Sequence, residues 1–70
     1  MLDIELLRSF VSVAEFHSFT QAAKHLHIAQ STISQHIKRL EENIGHDLFS
    51  RTTRLTTLTE TGEKLFSFAR

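Results

Sequence analysis

Apolar residues recur along most of this chain at steps of three and four, the spacing that lines one side of an α-helix. Leu6, Leu7, Phe10, Val11 and Ala14 form the first such set. With Asp3 ahead of them as a capping side chain, they predict a helix running to about Phe16, where His17 and Ser18 break the pattern. Phe19, Ala22, Ala23 and Leu26 predict a second, shorter helix over about Phe19 to Leu26, with Ser18 or Thr20 as cap. Its two alanines permit a close neighbour. His27 and Ile28 then form a turn, with Ile28 as its apolar plug. From Ala29 to Gly45 the pattern predicts one long helix: Ile33, Ile37, Leu40 and Ile44 recur on a single stripe, and Gly45 supplies a left-handed terminator. The inward positions Phe10, Ala22, Ala23, Leu26, Ile33, Ile37 and Leu40 are expected to share one core. Short helix, tight turn, longer helix is the spacing of a helix-turn-helix.

After Gly45 the period shortens. Leu48-Phe49, then Ser50 to Arg54, then Leu55-Thr-Thr-Leu58 read as a small β-hairpin, rich in β-branched threonine. Thr59 with Glu63 four residues on, or Glu60 as an N-terminal acid, opens a last helix carrying Leu65, Phe66 and Phe68, although Gly62 weakens its first turn by about 1 kcal/mol relative to alanine. No stop signal precedes Arg70, so that helix is expected to continue beyond it. The fold class is therefore mainly α: a winged helix-turn-helix over 1–58, with a three-helix core and a hairpin wing, and the start of a linker helix over 59–70.

The outer side of the long helix carries the first chemistry. Gln30, Ser31, Thr32, Ser34, Gln35 and Lys38 set hydroxyls, amides and one cation over its first turns, with no carboxylate among them. Such groups pair with base edges and phosphate oxygens, and a helix fits the major groove. An ordinary solvated face carries the same residue types. Charge changes the balance. The 70-residue chain has a formal net charge of zero, which taken alone argues against a nucleic-acid partner. Between Phe16 and Leu40, however, the only formal charges are Lys24, Lys38 and Arg39, and between Leu48 and Thr59 they are Arg51 and Arg54. Every acid lies outside both windows. A chain of this length buries only about 60 to 65 per cent of its unfolded surface, leaving little room for an enclosed active site. Without cysteine there is no disulfide or thiolate metal site, and without a long apolar run there is no signal peptide or membrane span, so a cytoplasmic location is expected.

Several ordered blocks resemble the N-terminal winged helix-turn-helix of LysR-type bacterial transcriptional regulators, over essentially the whole chain. Leu7-Arg8-Ser-Phe10 with Val13-Ala14-Glu15 is similar to that family's first helix, and Ser18-Phe19-Thr20-Gln-Ala22-Ala23-Lys-His-Leu26 to its second. Gln30 to Gly45 resembles its recognition helix, and Leu48-Phe49-Ser-Arg51 through Leu58-Thr59-Glu-Thr-Gly62 its wing and the start of its linker helix. The family usually has serine at the place of Ala29, proline at Ser31, often arginine at Gln35, and glycine near Thr52-Thr53. These departures bear on base preference rather than on fold. The resemblance implies sequence-specific binding of double-stranded DNA through Gln30, Ser31, Thr32, Ser34, Gln35 and Lys38, with Arg51, Thr53 and Arg54 on the wing at the minor groove or backbone. It also implies a dimerising helix and a C-terminal domain, absent from these residues, that senses a small-molecule effector. No cofactor is expected in the chain itself.

Other readings of the same residues are weaker. His25 and His27, two apart, point to different sides and have no acid or thiol nearby, so no metal site is expected. His36 reads as a neutral, solvated ring sooner than as a pH-dependent phosphate contact. Ser34 has no base and orienter, so no enzyme is expected. Arg51 and Arg54 could instead pair with Asp47 or Glu60. A winged helix serving as a protein-interaction or assembly module would keep the fold and spare the phosphates, but the acid-free windows argue against it. Leu65, Phe66 and Phe68 exceed what so thin a core needs, which predicts a weak homodimer through the last helix.

Overall fold

The computed structural model describes residues 3–50 and 56–69, and its order of elements is α1 (Ile4–Phe16), α2 (Phe19–Leu26), α3 (Gln30–Ile44), β1 (Phe49–Ser50), β2 (Thr57–Leu58) and α4 (Glu60–Ala69). Local chemistry sets most boundaries. The Asp3 carboxylate accepts the Glu5 N–H at 2.8 Å and starts α1. The Ser18 hydroxyl accepts the Gln21 N–H at 3.1 Å, so Ser18 and not Thr20 caps α2. Two histidines end helices in the left-handed conformation that glycine usually supplies: His17 after α1, at φ 53°, and His27 after α2, at φ 59°. At His27 the bonds are those of a Schellman turn. The Ile28 N–H reaches back to the Ala23 carbonyl at 3.1 Å, and the His27 N–H to the Lys24 carbonyl at 3.3 Å. Gly45, at φ 84°, closes α3.

α2 and α3 turn their apolar stripes inward, whereas α1 buries Leu6, Phe10, Val13 and Ala14 and leaves the expected Leu7 and Val11 half-buried, because α2 and α3 pack on its Val13 side. Phe10, Val13, Ala22, Ile33, Ile37, Leu40 and Leu48 are fully buried, and Phe49 nearly so. Leu26, expected in the core, packs on it from its edge. The phenylalanines join the elements. Phe49 lies 5.5 Å from Phe10 and 5.8 Å from Phe19, ring centre to ring centre, and Phe66 meets Phe10 edge-on at 6.5 Å.

The hairpin is antiparallel, with Phe49 opposite Leu58 and Ser50 opposite Thr57. The expected turn positions Arg51, Thr53 and Arg54 lie outside the described residues. At its base the His17 Nδ1–H donates to the Thr56 carbonyl at 3.3 Å, tying the wing to the α1–α2 corner. α4 is tied to the end of α3 by a relay. The Glu41 carboxylate accepts the Leu48 N–H at 2.8 Å, the Leu48 carbonyl accepts the Thr59 N–H at 3.0 Å, and the Thr59 hydroxyl donates to the Asp47 carbonyl at 2.7 Å. That same hydroxyl oxygen caps α4 by accepting the Gly62 N–H at 3.0 Å.

Candidate nucleic-acid interface

α3 is amphipathic along its whole length, and burying Ile33, Ile37 and Leu40 fixes which side faces out. Ser31, Ser34, Gln35 and Lys38 are exposed and, at steps of three, one and three, share one stripe opposite the core. Gln30, also exposed, stands at the head of the helix, where its side-chain oxygen is 3.0 Å from the Thr20 hydroxyl of α2. Thr32 is turned away from this group. It is half-buried and lines a hollow between α1 and α3 with Arg8, Ser9, Ile28 and His36.

The stripe is electrostatically lopsided. Its first three turns carry Lys38 and no acid, and the acids Glu41 and Glu42 follow only in the last turn. Ala29 provides no side-chain cap, so the N–H groups that open α3 have no hydroxyl or carboxylate over them. The positive end of the helix dipole thus sits beside Gln30 and Ser31, a place suited to an anionic oxygen. Lys24 and Arg39 are exposed as well, and the ion pair of Lys64 with Glu60, at 3.7 Å, lies away on α4.

The histidines have tasks that sequence reasoning missed. His36 is half-buried and not simply a solvated ring: its Nδ1 lies 2.6 Å from the hydroxyl of Ser9, which is 1 % exposed, so the pair joins α3 to α1. An inward hydroxyl on α1 and a polar residue on the flank of the α3 stripe were the only signals for it. His25 packs on Phe16, ring centres 5.2 Å apart. Among the described residues no three His, Cys, Asp or Glu side chains gather as a metal site would require. On α4, Leu65 and Phe66 pack against the core, while Phe68 is 83 % exposed.

Comparison with known proteins agrees with this geometry. The family model for bacterial regulatory helix-turn-helix proteins of the lysR family matches residues 4–63. The HTH-type transcriptional activator AllS of Klebsiella pneumoniae is 56% identical over 70 residues, all of this chain and 26% of that protein. The HTH-type transcriptional regulator IlvY of Escherichia coli K12 is 44% identical over 68 residues, 97% of this chain and 23% of that protein. The chain thus spans about a quarter of the length of the curated relatives it matches. Among solved structures, BenM_DBD in complex with catB site 1 DNA superposes with a TM-score of 0.93 at 40% identity, over 97% of this chain and 76% of that one. An outer stripe free of acids over its first three turns, on the second helix of a winged helix-turn-helix matched in sequence and in shape over nearly its whole length, leads to one conclusion: the chain belongs to the lysR family of bacterial regulatory helix-turn-helix proteins.

Proposed function

We propose that the chain binds double-stranded DNA sequence-specifically, as the DNA-binding domain of a bacterial transcriptional regulator. α3 enters the major groove with Ser31, Ser34 and Gln35 toward bases or their flanking phosphates and Lys38 on a phosphate. Gln30, at the head of the helix, also faces a base or its flanking phosphate, Thr32 stands at the groove's edge, and the uncapped start of α3 receives a backbone phosphate. Arg51, Thr53 and Arg54 serve at the minor groove or on the backbone, where a narrow groove attracts arginine. The observation that carries the reading is the exposed stripe on α3, carboxylate-free over its first three turns, supported by the likeness to a solved protein–DNA complex. Binding of this kind needs no covalent step, and the reaction partner is the DNA itself. The regulator acts in the cytoplasm, pairs with a second copy through α4, and answers a small-molecule effector held by residues beyond this chain.

Titration of a labelled duplex at low and moderate salt tests the proposal. Binding should fall steeply with salt; Lys38→Ala should reduce the slope by about one, and Gln35→Ala should relax preference at one base pair by about 1–3 kcal/mol. Little binding at either salt concentration would favour an assembly module and end the DNA reading.

A further inference from the structure

Thr20 and Gln30 are ten residues apart, on the first turns of α2 and α3, and both are exposed. Their side chains meet across the helix-turn-helix: the Thr20 hydroxyl donates to Gln30 Oε1 at 3.0 Å. Thr20 is not needed as a cap, because Ser18 already caps α2. Nor does it serve the core, since it stands in solvent. What its hydroxyl does is hold one end of the Gln30 amide. A free glutamine presents either its carbonyl or its NH2 group outward and so suits donor and acceptor bases alike. With Oε1 accepting from Thr20, Nε2 is the end of the amide left to donate.

We infer that Thr20 is a positioning residue for Gln30, fixing it as a hydrogen-bond donor and so selecting a base that presents an acceptor in the major groove. Guanine, through N7 and O6, and thymine, through O4, are such bases; cytosine, through its amino group, is not. The inference rests on the DNA-binding reading, and it gives Thr20 a part in specificity without contact to DNA. The hydrogen bond gains weight on binding, because docking removes the water that competes for both groups.

Competition binding of duplexes drawn from a random pool, each then substituted one pair at a time, tests this with four forms of the chain: wild type, Gln30→Ala, Thr20→Val and Thr20→Ser. Gln30→Ala identifies the pair at which preference collapses. At that pair the wild type should favour guanine or thymine over cytosine. Thr20→Val should lower the preference there by about two- to tenfold, the ratio that one such bond represents, with unchanged salt slope and thermal midpoint, and Thr20→Ser should restore it. The inference fails if valine keeps the wild-type preference, if it weakens every duplex alike, or if serine behaves as valine does. Absence of binding by the wild type to any duplex would remove the DNA reading and this inference with it, whereas binding that ignores the Thr20 hydroxyl removes only the inference.

Discussion

At Gly62 the first turn of α4 passes so close to the Leu48 carbonyl that a Cβ placed there would collide with it, and would crowd the Leu58 side chain as well. Helix propensity alone favours alanine here by about 1 kcal/mol. The collision reverses the sign, because the obstacle is backbone held by the Thr59 N–H and cannot swing aside as a side chain does. Gly62→Ala should therefore destabilise the domain by about 1–3 kcal/mol. For a domain of this size that lowers the thermal midpoint by about 4–8 °C per kcal/mol. A midpoint equal to or above wild type would show that α4 shifts to make room. His36 makes a related point, since its Nδ1 meets the hydroxyl of Ser9 where water cannot reach it.

Among the elements, α3 carries the most burden on both of its sides. Its outer stripe can face a groove only if its inner stripe is anchored, and Ile33, Ile37 and Leu40 have no exposed surface at all. Ile37→Ala should cost about 2–5 kcal/mol through lost transfer energy and a cavity. Against a total of about 4–10 kcal/mol for a domain of 70 residues, this is a large fraction. Denaturant unfolding should show an earlier midpoint with an unchanged slope. A midpoint that does not move would mean that the stripe is not the anchor. The two ends of α3 contrast: Gly45 and the Glu41 carboxylate bind its C-terminus into the base of the wing, while Ala29 leaves its N-terminus uncovered.

On the scale of the molecule, α4 divides its apolar residues between two duties. Leu65 and Phe66 close the domain's own core, with Phe66 edge-on to Phe10, and Phe68 stands in solvent. The proposed two-fold assembly thus rests on Phe68 more than on its neighbours. Sedimentation equilibrium over a range of concentrations should give reversible monomer–dimer behaviour. Phe68→Glu should abolish it with the thermal midpoint retained, and Phe66→Glu should lower the midpoint too. A strict monomer at high concentration, with DNA binding intact, would remove the assembly from the properties of this chain.

Whatever depends on near neighbours along the chain is legible in the residues themselves. The helix limits at Asp3 and Gly45 follow from capping chemistry within a turn of each residue, and the buried stripe of α3 follows from the period of 3.6, whereas the choice of Ser18 over Thr20 as cap and the turn of α1 that buries Val13 in place of Leu7 and Val11 were set by packing. The polar set on α3 is legible as one face for the same reason, except for Thr32, which lies on the flank that α1 covers. The rest joins residues far apart in the chain: Ser9 with His36, Thr20 with Gln30, His17 with Thr56, Gly62 with Leu48. No periodicity encodes these pairs. Each arises only when two helices, or a helix and the wing, have docked at a particular angle and offset, and those are set by the shapes of the buried side chains acting together. Sequence therefore determined the elements, the inward faces of α2 and α3 and the family; packing decided which side of α1 is buried, which polar side chains hold the molecule together and which are left free to meet a partner.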